Sequence, residues 1–267
     1  RGGGCGSGGR ARQGPCGGEG TGRGMGGRLA LPYTGGGVLS SALCSGKAVA
    51  SRVLEQAGVA VPAYQEHDIR DGIPAELPAR LVSGLGLPLV VKPTRQGSSV
   101  GYSLARDEEQ VADAIVLAGR FDYRVLAQRF VTGVEITVGV LATPDLQVLP
   151  TLEIVSENED YDYDAKYTAG KSHHIIPARI PQVARRASAV AAELAFRTLR
   201  CEGMARVDLI VDAAGTPWVL EVNTVPGLTA LSLLPDAARA AGIEFEELCD
   251  RLVRHARLRV MGGGAGG

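Results

Sequence analysis

The spacing of hydrophobic and polar positions changes along the chain, and each change marks an element. Residues 134 to 140 alternate strictly, with Val134, Ile136, Val138 and Val140 on one face, the period-2 signature of a strand buried on one side. From Lys47 to Ala57 the apolar positions Val49, Val53, Leu54 and Ala57 recur at helical spacing, and Gly58 follows where a C-terminal cap belongs. "LPLVVKP" is a short apolar run read as a strand, and "SVGYSL" a second strand beyond a glycine turn. Asp107 is placed to cap a helix reaching about Ala118, with Val111, Ala114, Ile115 and Ala118 inward. "RVLAQRF" is a further strand, residues 156 to 175 read as a polar loop, and Pro181 opens an alanine-rich helix ending near Cys201-Glu202-Gly203. "MARVDLIVD" and "PWVLEVN" are strands around a turn, Pro226-Gly227 makes a glycine turn, and a last helix runs from about Glu244 to Leu258. Strand pairs interleaved with helices and closed by a hairpin predict α+β layers, not a doubly wound parallel sheet. No internal repeat is visible.

The hairpin carries side chains that a plain buried strand lacks. If its turn is the two residues Ala214-Gly215, Asp208 stands opposite Glu221 and Arg206 opposite Asn223, all on one face, with Val207, Leu209 and Val219 on the other. Opposed carboxylates, with Cβ atoms about 4.5–5.5 Å apart, repel. A positive charge between them relieves this. Two carboxylates and an amide are hard oxygen ligands, suited to Mg²⁺ that keeps waters and takes phosphate oxygens. The alternative is a solvated face on which Arg206 neutralises Asp208.

Composition narrows the field. The 267 residues, 45% of them apolar, suffice for two packed domains or one large one. The 28 basic and 29 acidic residues nearly cancel, which argues against nucleic acid or an anionic membrane surface as partner. Five scattered cysteines with no C-x-x-C pair fit neither a disulfide framework nor a zinc site and read as reduced thiols. No apolar run approaches 18 residues and no leader pattern is present, so a cytoplasmic setting is expected. Residues 1–28 are half glycine with Met25 as the one large apolar side chain, and the chain closes on GGGAGG; neither stretch offers apolar burial to offset its ordering entropy.

Two further stretches bear on chemistry. In "VVKPTRQGSSVGYS", Lys92 ends a strand and Gly97 to Gly101 offer backbone N–H groups and two hydroxyls able to cover phosphates, although such a turn is more often a simple hairpin. "YDYDAKYTAGKSHH" is a long loop with Lys166, Tyr167, Lys171, His173 and His174, of a length common among functional lids. Adjacent histidines rarely converge on one ion, so His173 and His174 read as solvated loop residues.

Together "LPYTGGGVLSSAL", "LPLVVKPTRQGSSVG", "VLAQRFVTGVEITVGVL", "YDYDAKY", "ARVDLIVD" and "LEVNTVPGLTALSLLP" resemble the D-alanine-D-alanine ligases, from about Leu31 to Leu258. The resemblance implies an ATP-grasp fold in which two α+β subdomains clamp ATP. It also implies ligation of two D-alanines through D-alanyl phosphate, for peptidoglycan. By it, Lys47 and Lys92 hold ATP phosphates, Gln128, Arg129, Phe130 and Val131 line the adenine pocket, and Glu135 takes the ribose hydroxyls. Gln128 stands where the family usually has glutamate; its amide oxygen can still accept from the adenine amine. Asp208, Glu221 and Asn223 become ligands of two Mg²⁺, with Mn²⁺ as substitute, and Lys166 meets the γ-phosphate. Arg206 and the backbone N–H of Gly227 face the tetrahedral oxyanion, Ser232 the second substrate's carboxylate, and Ser98 and Tyr167 join a set orienting the substrates.

"GPCGGEGTGRGMGGRLALPYTG" aligns with a family run in which Gln13 replaces a histidine and Gly18 and Gly27 replace glutamates. The expected organisation is a glycine-rich remnant of an N-terminal α/β domain at 1–35, a central ATP-grasp subdomain at 36–131, a C-terminal catalytic subdomain at 132–260 and a tail at 261–267. A homodimer is expected as the assembly. The alternatives are another ATP-grasp ligase joining a carboxylate to an amine or hydroxyl, and a noncatalytic ATP-binding remnant; phosphate release on addition of D-alanine separates the latter.

Overall fold

In the computed structural model, which describes residues 18–29, 31–97, 100–156, 172–229 and 232–262, the chain builds two antiparallel sheets. Helices α1 (Gly18–Arg28), α2 (Val38–Ser45) and α3 (Lys47–Gln56) come first. The smaller sheet has the order β1-β4-β2-β3, from β1 (Tyr64–Asp68), β2 (Leu89–Pro93), β3 (Ser103–Ala105) and β4 (Arg124–Arg129). Helices α4 (Leu77–Leu85) and α5 (Glu108–Gly119) cover one of its faces. Asp107 caps α5 as expected, its Oδ1 accepting from the Gln110 N–H at 2.8 Å. The apolar stripe Val111, Ala114, Ile115 and Ala118 then buries against Leu77 and Leu81 of α4 and against Leu89, Val91, Val125 and Ala127.

The larger sheet runs β10-β9-β5-β7-β8, with β6 also paired to β5. Its strands are β5 (Val134–Ala142), β6 (Leu146–Val148), β7 (Leu152–Ser156), β8 (Ser172–Ile175), β9 (Gly203–Val211) and β10 (Pro217–Asn223). The alternation along β5 works as read: Ile136, Val138 and Val140 bury against Ala184, Ala192, Ala195 and Phe196 of α6 (Gln182–Thr198), together with Ala50 and Leu54 of α3. Part of the other face is covered by α7 (Leu233–Ala240) and α8 (Phe245–Gly262), whose Leu234, Leu248 and Leu252 meet Leu141, Leu149, Leu152 and Met204. The rest of that face carries the polar residues.

Several expectations change. The hairpin turn is not the two-residue Ala214-Gly215: Pro217, Trp218 and Val219 pair with Val211, Ile210 and Leu209, and the Asp212 N–H donates to the Thr216 carbonyl at 3.1 Å, which leaves the three-residue loop Ala213-Ala214-Gly215 with Gly215 at φ 84°. A bulge between Val219 and Glu221 then restores the register, so Asp208 still faces Glu221 and Arg206 still faces Asn223. The predicted polar loop is in part strand, since β8 pairs with β7. "SVGYSL" yields strand only from Ser103. Residues 18–28, read as unable to order, form α1, where Arg23 donates to the Thr34 carbonyl at 2.7 Å and lies 5.0 Å from the Tyr33 ring centroid. Strand β1 reads YQEHD, with no apolar alternation to betray it; it is an edge strand and mostly half-buried.

Candidate active site

Strand register assembles the site from both sheets. Thr137 of β5 lies opposite Asp208, and Glu135 opposite Ile210. Opposed residues share a face, so Glu135, Thr137, Arg206, Asp208, Glu221 and Asn223 stand together on the side away from the α6 core. In the smaller sheet Lys92 is opposite Leu126, and Val90 opposite Gln128. The alternate positions point at α4 and α5, which turns Val90, Lys92, Leu126 and Gln128 the other way. Lys92 and Lys47 both act on the Glu221 charge, so this face looks onto the carboxylates of the larger sheet. Helix α3 enters from the side: the Lys47 backbone N–H donates to the Thr94 carbonyl at 3.2 Å, and its ammonium to the Gln96 carbonyl.

The two carboxylates are held differently. Asp208 Oδ1 accepts from Thr137 Oγ1 at 2.7 Å and Arg206 Nε at 2.8 Å, and Oδ2 from Arg206 Nη2 at 2.7 Å and Asn223 Nδ2 at 2.9 Å. All four acceptor sites of that carboxylate are in use. From the described residues Glu221 receives one longer contact, from Asn223 Nδ2 at 3.3 Å. Burial pushes the Glu221 carboxyl up, but Lys47, Lys92, the Asn223 amide and Arg206 outweigh it and hold it below its ordinary value. The donor set fits a hard divalent ion: oxygen atoms only, with Glu221 and the Asn223 amide oxygen able to ligate. Asp208 can join only by exchanging a present partner. Among the described residues no group of three or more His, Cys, Asp or Glu converges, so an ion here must complete its shell with water and ligand oxygens.

Other predicted residues fall nearby or outside. Lys92 Nζ donates to Gln128 Oε1 at 3.1 Å. Phe130, whose N–H donates to the Pro88 carbonyl at 3.1 Å, and Val131 are half-buried just beyond β4. Arg129 is exposed, its guanidinium 5.9 Å from the Trp218 ring centroid. Gly227 and Ser232 adjoin each other after β10, where a Cβ on Gly227 would lie 2.9 Å from Ser232 Oγ. Ser98, Lys166 and Tyr167 lie outside the described residues. The reading of both histidines as solvated loop residues fails for His174, which sits on β8 with Nδ1 2.5 Å from Asp236 Oδ2 of α7; His173 is exposed.

Two contributors escaped the sequence. Thr137 holds Asp208, and the β5 alternation that puts it on the polar face was signal enough to find it. The buried Asp122 clamps the start of the glycine-serine loop, accepting from Arg95 N, Nε and Nη2 at 3.1, 3.1 and 2.6 Å. No local pattern marks that pair, whose members are 27 residues apart.

Comparison with known proteins converges on the same chemistry. The sequence model described as "D-ala D-ala ligase C-terminus" matches residues 53–254. The D-alanine-D-alanine ligase of Pelotomaculum thermopropionicum is 46% identical over 241 residues, covering 89% of this chain and 76% of the relative. The crystal structure of a D-alanine-D-alanine ligase from Bacillus anthracis complexed with ATP superposes with a TM-score of 0.76 at 30% identity, covering 91% of this chain and 76% of that one. A D-Ala:D-Ser ligase from Enterococcus faecalis superposes with a TM-score of 0.77 at 31% identity, covering 89% and 68%. With its two-sheet fold and its carboxylate, amide and lysine face, the chain belongs to the D-alanine-D-alanine ligase family.

Proposed function

We propose that the face carrying Asp208, Glu221 and Asn223, set against Lys47 and Lys92, is where this chain performs the reaction of its family. That reaction is the ATP-dependent joining of two D-alanines into D-alanyl-D-alanine for peptidoglycan. A carboxylate oxygen of the first D-alanine takes the γ-phosphoryl group and ADP leaves. The amine of the second attacks the acyl carbon, phosphate departs with the C–O bond electrons, and the amine proton is released.

The carrying observation is the Asp208–Glu221 pair, opposed on one face with Lys47 and Lys92 acting on Glu221. Divalent metal serves the family. Two Mg²⁺ ions, with Mn²⁺ as substitute, held by Glu221, Asn223 and Asp208, would neutralise phosphate charge when bound. Lys47, Lys92 and Lys166 hold phosphates, Gln128 through Val131 flank the base, and Glu135 takes the ribose. Arg206 and the Gly227 N–H serve the oxyanion, Ser232 binds the second carboxylate, and Ser98 and Tyr167 orient substrates.

Arg206 grips Asp208 with both arms, so its role at the oxyanion has a structural rival. Arg206→Ala is expected to lower turnover by about 10²- to 10³-fold with a smaller change in the KM for ATP. Turnover preserved with weakened ATP binding would make Arg206 only the partner of Asp208.

The assay for the whole reading is D-alanine-dependent phosphate release from Mg·ATP. Nucleotide binding without such release would leave a noncatalytic ATP-binding protein. Release with D-serine in preference to D-alanine would place the chain among ligases of other acceptors, as in the Enterococcus enzyme. The reading carries a cytoplasmic setting, to be checked by fractionation. Among the described residues no helix is long and apolar enough to cross a membrane. It also carries a homodimer, which sedimentation equilibrium decides.

A further inference from the structure

His174 is a polar side chain on an apolar patch of β8. Ile154 stands opposite it and Ile176 follows two residues on, and both pack against the cluster that includes α7 and α8. There its Nδ1 lies 2.5 Å from Asp236 Oδ2, a bond between residues 62 apart that ties the sheet to the helix. A carboxylate only accepts, so Nδ1 carries the proton and donates. Asp236 is 9% exposed, and its other oxygen accepts from Arg239 Nη2. Asp236 also lies four residues after Ser232, the N-cap of α7, so the two stand on one flank of the helix, and the Asp236 N–H donates to the Ser232 carbonyl at 3.0 Å. The Ser232 hydroxyl makes no cap bond. It lies 2.8 Å from Thr229 Oγ1 and accepts from the Thr229 N–H at 3.2 Å, beside Gly227. Leu234 and Ala238 hold α7 on the sheet through the cluster with Leu141 and Leu149, but apolar contact is non-directional and lets a two-turn helix rotate about its axis. The His174–Asp236 bond is directional. It fixes that rotation, and with it where the Ser232 hydroxyl stands.

We propose that His174 is a positioning residue for the reaction: acting through Asp236, it sets the start of α7 for the carboxylate of the second D-alanine. The inference rests on the placement of that carboxylate at Ser232 proposed above. His174 needs no contact with a substrate for this. Its effect falls on the amino acid and not on the nucleotide, because Lys47, Lys92 and Glu221 stand on α3, β2 and β10, elements other than the two that the bond joins.

The test is D-alanine-dependent phosphate release, with D-alanine varied at saturating Mg·ATP and Mg·ATP varied at saturating D-alanine. His174→Phe keeps a ring and removes the donor; the KM for D-alanine is expected to rise about tenfold, the scale of one buried hydrogen bond to a charged group, and the KM for Mg·ATP to stay within about twofold. His174→Asn, whose Nδ2 can take the place of Nδ1, is expected to stay within about threefold of the wild type in both. His174→Ala is expected to behave as His174→Phe, and it serves if the larger ring does not seat and the circular dichroism spectrum collapses. A lowered Tm with both KM values unmoved, an equal rise in both, or no rescue by asparagine overturns the inference and makes His174 structural only. Ser232→Ala separates this inference from the reading beneath it. An unchanged KM for D-alanine in that variant, or no phosphate release from the wild type, overturns the placement of the carboxylate, and the inference with it. A raised KM there beside an unmoved one in His174→Phe and His174→Ala overturns the inference alone.

Discussion

Glu221 and Asp208 differ in how much of their charge is already spent. Asp208 is saturated by Thr137, Arg206 and Asn223, whereas Glu221 is balanced mainly at a distance by Lys47 and Lys92. Removing the Glu221 charge should therefore be felt chiefly by an incoming ion. Glu221→Gln is expected to weaken Mg·ATP binding by about tenfold or more while binding of ATP in EDTA changes little; calorimetry in both conditions checks this, and equal Mg·ATP affinity would refute the metal assignment. The buried Asp122 calls for a stability measurement instead. Burial pushes its carboxyl up, but Arg95, with backbone donors at Arg124 and Arg95, outweighs that and holds it below the ordinary value. The sign follows: the contribution is full above the unfolded pKa, about 4, and is lost as pH falls through the lower folded value. Asp122→Asn should cost about 2–3 kcal/mol at neutral pH, less than for a fully buried pair because the Arg95 side chain keeps 20% of its exposure, and should flatten the acid limb of a urea-unfolding series. The opposed pair at 208 and 221 was legible because side chains alternate with period 2 along both strands. Asp122 was not, because its partner is distant in sequence and its own neighbourhood looks like an ordinary turn.

Among the elements, the β9–β10 hairpin shows how a correct expectation can rest on a wrong turn. The loop holds three residues, and Asp212 stabilises it by accepting from Ala214 N and Thr216 N at 2.9 Å each and from Trp218 Nε1 at 2.8 Å. That shifts the register by one, and the extra residue Leu220 in the bulge shifts it back. The bulge also puts Leu220 beside Glu221 on the polar face, both half-buried. Deleting Leu220 should leave a regular hairpin with the carboxylates still opposed. The deletion is expected to keep a wild-type circular dichroism spectrum and a urea midpoint close to the wild type's, since the pairing on both sides of the bulge is kept. A collapsed spectrum would instead show the bulge to be required for folding. At the start of β5, a Cβ on Gly133 would lie 2.2 Å from the Val211 carbonyl oxygen. Gly133→Ala should accordingly unfold at lower urea, since neither backbone can yield without breaking the β5–β9 ladder. Helices with an apolar stripe, such as α5, and strands with clean alternation, such as β5, could be read from the chain; β1 and α7 could not. The first is polar throughout, and the second is only 8 residues long, about two turns, too short for its stripe to repeat.

For the molecule as a whole, the smaller sheet with α4 and α5 has its own core, and the larger sheet has one on each face. A ligand touching both sheets should tie these cores together thermally. Mg·ATP at about a hundred times its Kd stabilises the native state by roughly 2.7 kcal/mol, which for a domain of this size raises Tm by about 5–10 °C. A differential scan with and without EDTA checks it, and a shift that ignores the metal would speak against the proposed ion. Packing also bears on the division at residues 131 and 132 proposed from the family resemblance. Ala50, Leu54, Val59 and Val61 come before that point in the chain but lie in the core under β5, β9 and α6. Helix α3 therefore belongs by packing to the later half, while Lys47, at its first turn, holds the Thr94 and Gln96 carbonyls just beyond β2 of the smaller sheet. Cutting the chain between β4 and β5 would not produce two self-sufficient fragments. The later fragment would be left with a leucine- and valine-sized gap in its largest core, and complementation between the halves would have to begin with α3 finding its seat.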